Sequence, residues 1–340
     1  MIDFSNWIDL PFVWGFIIAT AVFLYAILDG LDLGCGILFP FAPTDDCRSR
    51  MMNSISPYWD GNETWLVLGG GGLLVAFPVA YAVLLPAFYI PLIIMLLGLI
   101  LRGVAFELRF KATDTQRHIW DKCFFYGSTV AAFMQGVILG NFVQGVEVNG
   151  RSFAGGSFDW INPFALLTGI ALLGAYALLG SVWLVMKTEA QTQRWARKAG
   201  CYLLIATIIG MAGVSIYVPF IDQRFYDLWL TMPNMLYLSI LPIISLGVLI
   251  MIWRDLTGNI REARPFFLVI AVFILGYIGF GISLYPWIVP YEFTLWEAAA
   301  ASTSQSIMLI GTVILLPIIL SYTAYCYYVF RGKSTHEALY

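Results

Sequence analysis

Apolar runs separated by short polar connections fill almost the whole chain. Nine of them are long enough to cross about 30 Å of hydrocarbon as helices. They cover roughly 11–39, 53–77, 79–101, 122–143, 163–186, 199–218, 232–253, 265–285 and 303–330. The pattern predicts an all-α polytopic membrane protein with nine transmembrane helices in a single transmembrane domain, residues 1–340. Short connections favour antiparallel neighbours. Helices one to four (about 11–143) therefore group as one four-helix bundle and five to eight (about 163–285) as a second, with a peripheral ninth helix at about 303–330. No sequence repeat relates the halves. The stretch 144–162, rich in Gly, Ser and Asn, is a surface excursion too short for a soluble domain.

Composition agrees with this reading. The chain is 60% hydrophobic and 11% charged, whereas soluble domains carry about 25% charged residues. The net charge of -3 identifies no partner, and nothing supports nucleic-acid binding. The start, MIDFSNWIDLP, has two acids and no basic residue before the first apolar run, so it is read as a retained span and not as a signal peptide. Charge orients the chain. Of 18 basic residues, 16 fall at the same-side ends of nine alternating spans, and only Arg151 and Arg224 fall opposite. The positive-inside rule then places the N-terminus outside and the C-terminus in the cytoplasm.

The candidate metal and haem ligands are few. Cys35, Cys47, Cys123, Cys201 and Cys326 all fall at or near the basic side and form no CxxC pair, so no disulfide, zinc or iron–sulfur site is expected. His118 and His336 lie outside the predicted spans. Met134 and Met211 read as packing residues, so the chain is expected to bind no metal and no haem of its own.

Acids inside the apolar runs are the informative polar residues. The first run ends LDGLDLGCG, which puts Asp29 and Asp32 one turn apart on one helix face. The second contains SPYWDGNETWLVLGGGG, where Asp60 and Glu63 repeat that spacing. An Asp at the centre of a membrane helix costs about 2.5–3.5 kcal/mol on insertion scales. Adjacent antiparallel helices bring both pairs to the cytoplasmic portion, and Arg102, read as ending the third span, approaches them with Glu107 five residues on. Closely spaced carboxylates can hold a proton because like charges disfavour each other's ionisation. The cluster Asp29, Asp32, Trp59, Asp60, Glu63, Arg102 and Glu107 is therefore read as a proton entry. The competing structural reading is a buried ion-pair network that only registers three helices. The four glycines at 69–72 suit close helix approach. Gln135, Asn141 and Gln144 suit bonds between helices more than the lining of a path, and TAYCYYVF (323–330) suits an interfacial aromatic belt.

These segments carry a family resemblance. LDGLDLGCG, NSISPYWDGNETWL, GGLLVAFPVAYAVLLPAFY, LRGVAFELR, GNFVQG, INPFALLTG and PIILSYTAYCYY, in that order, resemble subunit II of the cytochrome bd-type quinol oxidases from the first helix to the last. The resemblance implies a nine-helix, haem-free subunit in the bacterial cytoplasmic (inner) membrane. Its partner would be a homologous subunit I that carries haem b, haem d and the quinol site. The complex would oxidise ubiquinol or menaquinol and reduce oxygen to water with cytoplasmic protons, building a gradient without pumping. By motif, Asp29 and Asp60, with Trp59 beside the latter, fall on the family's proton path near the subunit interface. The resemblance leaves open a structural quinone, which no motif here places, and a small single-helix subunit. Lipid is the remaining partner. Two departures stand out: Gly103 occupies a position where proline often follows the arginine, and VPYEFTLWEAAAASTSQ replaces a PSST-like stretch.

A proton-coupled secondary transporter is the alternative function. It would show broken helices and polar sites at the midplane of both halves, whereas the acids here are confined to one side of the first half.

Overall fold

The structure, a computed structural model, describes residues 3–335. His336 lies outside them. The fold is all-α apart from two short hairpins. In chain order the helices are α1 (Leu10–Leu38), α2 (Asp45–Ile55), α3 (Trp59–Ala76), α4 (Pro78–Ala87), α5 (Tyr89–Lys111), α6 (Asp114–Gln144), α7 (Pro163–Lys187), α8 (Ala190–Tyr217), α9 (Gln223–Leu230), α10 (Asn234–Leu238), α11 (Ile240–Gly258), α12 (Arg264–Leu284) and α13 (Ser302–Val329).

Among the described residues, eight helices are long and apolar enough to cross a membrane, where the sequence predicts nine spans. The remaining one is α3. Its 18 residues begin Trp-Asp-Gly-Asn-Glu-Thr and contain five glycines, so its apolar content falls short although its length, about 27 Å, approaches the hydrocarbon thickness. The predicted second span is also not one helix. Amphipathic α2 ends at Ile55, and Pro57, which has no backbone N–H to continue a helix, lies in the turn before Trp59. The predicted third span, 79–101, divides at Phe88 into α4 and α5, and α5 runs on to Lys111. Arg102 is therefore not at a helix end, as expected, but nine residues inside one.

Small residues set the helix crossings. A Cβ on Gly34 would lie 1.9 Å from the Tyr176 carbonyl oxygen, and one on Gly180 would lie 2.5 Å from the Gly34 carbonyl carbon, so α1 and α7 meet backbone to backbone. Gly98 and Gly127 do the same for α5 and α6. Such contacts replace the hydrophobic driving force that lipid removes. α1 is thereby enclosed by α3, α6 and α7, and every residue from Asp29 to Gly36 is buried. α13 rests against α3 and α1 with most of its surface uncovered.

The end that gathers the basic residues is bound together by polar contacts. Arg264 pairs with buried Asp255, and Arg197 donates to the carbonyls of Asp255 and Arg261 at 3.0 and 3.2 Å. The segment after α13 crosses this end. Lys333 bonds Glu262 at 2.5 Å, Ser334 donates to the Arg50 carbonyl at 2.8 Å, and Lys187 reaches the Phe330 carbonyl. At the opposite end, 144–162 folds as a hairpin pairing Val148 with Phe153, and Trp287–Val289 pairs with Phe293–Thr294. The replaced PSST-like stretch lies here, where Trp296 donates to Asp9 at 3.0 Å and Ala300 to the Ala76 carbonyl at 2.9 Å. Glu297 accepts from the backbone N–H and hydroxyl of Thr294, and that backbone bond holds its carboxyl below the usual range.

Candidate functional site

The site sits where α1, α3 and α5 face one another. Asp29 and Arg102 each lie nine residues before the ends of their helices at the basic end, about 14 Å along the axis, so the two meet at one level. Arg102 is 1% exposed, and Asp29 and Asp32 are 0% exposed. Through Nη1, Arg102 donates to Asp29 Oδ1 at 2.6 Å, and through Nη2 to Glu63 of α3. One guanidinium therefore ties together three helices. The fork geometry suits two carboxylates at once, which an ammonium does not reproduce.

Asp32 has a different partner. Asn62 Nδ2 donates to Asp32 Oδ2 at 2.8 Å and to the Leu28 carbonyl at 3.1 Å, while Asn62 Oδ1 accepts from the Tyr327 hydroxyl of α13 at 3.2 Å. Asp29 and Asp32 lie about 60° apart around α1, enough to aim one at α5 and the other at α3. The site holds three carboxylates and one guanidinium. Asp29 Oδ2, Asp32 Oδ1 and Arg102 Nε, all buried, have no hydrogen-bond partner among the described residues.

The remaining predicted residues take other positions. Asp60 is exposed on the outer face of α3, in line with Thr64, Val67, Gly71 and Leu74. It shares neither Arg102 nor Asn62. Trp59 is half-buried, its ring 5.5 Å from that of Phe106 and against Gly103, where a Cβ would lie 3.4 Å from the indole. The glycine in place of proline thus leaves room for Trp59 against α5. Glu107 is exposed and pairs with Lys111 at 3.8 Å. It lies about 140° around α5 from Arg102, so it cannot join the cluster. The inward face of α5 carries Arg109 instead, seven residues on, which bonds Asp121 at 2.5 Å with its guanidinium 5.2 Å from the Phe39 ring.

Four participants are not among the residues the sequence singles out for the cluster: Asn62, Tyr327, Tyr25 and Tyr176. Asn62 was legible only as part of WDGN. Tyr327 was assigned to an interfacial belt, but it turns inward to stack on Tyr58 at 4.2 Å, while its neighbours Tyr325 and Tyr328 are exposed. Tyr25 and Tyr176 meet at Gln135: Tyr176 donates to Gln135 Oε1 and Gln135 Nε2 donates to the Tyr25 hydroxyl, both at 2.8 Å. Gln135 was expected to bond between helices, and it does.

A bundle of long apolar helices around a buried acid–arginine cluster defines an integral membrane protein with ionisable groups kept inside its helices. The profile of the family described as cytochrome bd terminal oxidase subunit II matches residues 10–330, and the chain belongs to that family. It is 31% identical to the cytochrome bd-I ubiquinol oxidase subunit 2 of Escherichia coli K12, covering 99% of this chain and 97% of that one. It is 28% identical to the cytochrome bd ubiquinol oxidase subunit 2 of Bacillus subtilis 168, covering 96% and 97%. Among solved structures, the bd oxidase from Geobacillus thermodenitrificans superposes with a TM-score of 0.75 at 16% identity, over 95% of this chain and 99% of that one, which shows a shared fold. Membership makes the chain a subunit of a terminal oxidase and sets aside the transporter alternative.

Proposed function

We propose that the chain is the haem-free subunit of a quinol-oxidising, oxygen-reducing complex in a bacterial inner membrane, and that its acid cluster is the proton entry from the cytoplasm. The observation that carries this is the buried set Asp29, Asp32, Glu63 and Arg102: three acids inside the helices with one cation among them, which pairs with Asp29 and Glu63 and leaves Asp32 without a salt bridge. Buried ionisable groups of this kind mark proton routes in membrane proteins. The basic end faces the cytoplasm by the positive-inside rule, with α3 as the ninth span and the N-terminus outside. The helices group as two four-helix bundles with α13 peripheral. Glu63, whose side chain is 30% exposed, connects the exposed Asp60 to the buried acids.

The relatives' names support ubiquinol as the reductant, with menaquinol as the related alternative. The residues present do not fit a haem. Among the described residues the one histidine, His118, is exposed near the start of α6, and Met134 and Met211 pack against apolar clusters. Haem b and haem d therefore belong to subunit I.

Subunit I has a ready surface on α3. Nothing lies within 4 Å of a Cβ placed on Gly70 or Gly71, and these glycines share the outer face of α3 with Asp60. A carboxylate facing lipid is costly, whereas a helix laid along the glycines covers it. Gly71→Leu is expected to leave this chain folded and inserted but to prevent copurification of the haem-bearing subunit. Retention of that subunit in normal ratio would place the interface elsewhere.

Proton entry is tested in the purified two-subunit complex. Asp60→Asn and Glu63→Gln are expected to cut quinol-driven oxygen consumption severalfold with haem content unchanged. Loss of haem and assembly in both variants would assign the acids to helix registry, and full activity in both would exclude the route.

A further inference from the structure

Asp29 and Asp32 stand three residues apart, equally buried, yet their surroundings are opposite in polarity. Asp29 receives the Arg102 guanidinium on Oδ1 at 2.6 Å. A chain of hydrogen bonds running in one direction ends beside it on the same helix, at Tyr25. Tyr176 of α7 donates to Gln135 of α6, and Gln135 donates to Tyr25 of α1. The Tyr25 hydroxyl, having accepted that bond, keeps its own hydrogen to give. Asp29 lies one turn along the same helix face, within its electrostatic reach. Both bonds run towards Tyr25, whose hydroxyl hydrogen is left to give beside Asp29, and a donor next to a carboxylate favours its charged form.

Asp32 has no such support. Among the described residues its one hydrogen bond comes from the neutral Asn62 amide, to Oδ2, and its Oδ1 has no partner. The titratable groups around it are Asp29 and Cys35 on α1, Glu63 on α3, Arg102 on α5, Tyr327 on α13 and Tyr58 before α3. Arg102, the single cation in this set, spends two donors on Asp29 and Glu63. A buried acid without its own cation is far cheaper neutral than charged.

We infer that the two acids divide the work: Asp29, fixed by Arg102 and by the Tyr176–Gln135–Tyr25 relay, is a permanent anion, and Asp32 is the carboxyl that carries the transferable proton. The inference rests on the proton-entry reading and assigns its steps. The O–H bond of Asp32 breaks as its proton moves inward. One proton from the cytoplasmic side then re-forms it, so the group returns unchanged each cycle. Tyr25, Gln135 and Tyr176 are positioning residues that hold Asp29 ionised so that it does not compete for that proton.

The two acids are separated by redox-induced infrared difference spectroscopy on the intact complex, with thermal stability measured alongside. A protonated-carboxyl C=O band is expected in the wild type, absent in Asp32→Asn and present in Asp29→Asn. Asparagine is nearly isosteric with a neutral aspartic acid, so Asp32→Asn is expected to assemble and melt like the wild type, whereas Asp29→Asn melts earlier because Arg102 loses a counter-ion. Should Asp32→Asn fail to assemble, Asp32→Glu is expected to shift the band without abolishing it. Tyr25→Phe is expected to add a second band as Asp29 begins to take up protons. A band that vanishes in Asp29→Asn and persists in Asp32→Asn, or no carboxyl band in the wild type, overturns the assignment. Unchanged oxygen consumption in both Asp→Asn variants would instead refute the proton-entry reading, whichever residue owns the band.

Discussion

Arg102→Leu is expected to abolish accumulation of the assembled oxidase. The guanidinium is 1% exposed and is the one cation bonded to Asp29 and Glu63. Its removal leaves two carboxylates facing each other across α1 and α3, one of them wholly desolvated. Breaking a buried ion pair by deleting one partner costs about 3–5 kcal/mol, a large fraction of the 5–15 kcal/mol that holds a typical protein folded. Arg102→Lys keeps the charge but cannot reach two carboxylates with a planar fork, so an intermediate yield is expected. The triple variant Arg102→Leu, Asp29→Asn, Glu63→Gln removes all three charges together and should recover part of the lost stability. The yield and melting temperature of the detergent-extracted complex decide this. Equal yield from Arg102→Leu and the wild type would show that the cluster contributes nothing to assembly.

The cluster was legible in the sequence because charged residues are conspicuous within apolar runs. LDGLD puts two acids on one turn, and hydrophobic spacing alone brings Asp29 to α3 and α5. Rotation about each helix was less legible. Asp60 and Glu63 are both acids in WDGNE, yet α3 turns Asn62 and Glu63 towards the buried cluster and leaves Asp60 outside. Which side of a glycine-rich helix faces inward depends on partners, since Gly70 and Gly71 carry no side chain to mark it. Arg102 and Glu107 are five residues apart, a spacing that looks local in sequence but points them apart in a helix. The spans themselves were read closely wherever apolar character was continuous, as in α7 and α12. They were misread from 53 to 101, where Pro57 and the break at Phe88 divide two expected helices into four. Prolines at 78 and 86 mark that region, but a window of hydropathy averages over them.

Gly34→Ala should be nearly as damaging as loss of Arg102, for a different physical reason. The added methyl would sit 1.9 Å from the Tyr176 carbonyl oxygen and 2.9 Å from the Gly180 amide nitrogen, both backbone atoms of α7. A crowded side chain can change rotamer, whereas two helical backbones can only separate. Overpacking a tight interior costs about 1–3 kcal/mol, occasionally more, and a clash with rigid backbone belongs at the upper end. The same displacement reaches the acid cluster. α7 carries Tyr176, whose hydroxyl begins the relay through Gln135 to Tyr25, and α1 carries Asp29 and Asp32. Helices moved apart at Gly34 strain the relay within two turns, so any complex that does assemble should also turn over more slowly. Gly276→Ala and Gly311→Ala are the controls. Nothing lies within 4 Å of a Cβ at either position, and alanine in a helix is favoured over glycine by about 0.5–1 kcal/mol. Those two variants should melt at or slightly above the wild-type temperature. Gly34→Ala melting with them would show that the α1–α7 crossing yields, and the contact between these helices would then not be what positions the acids.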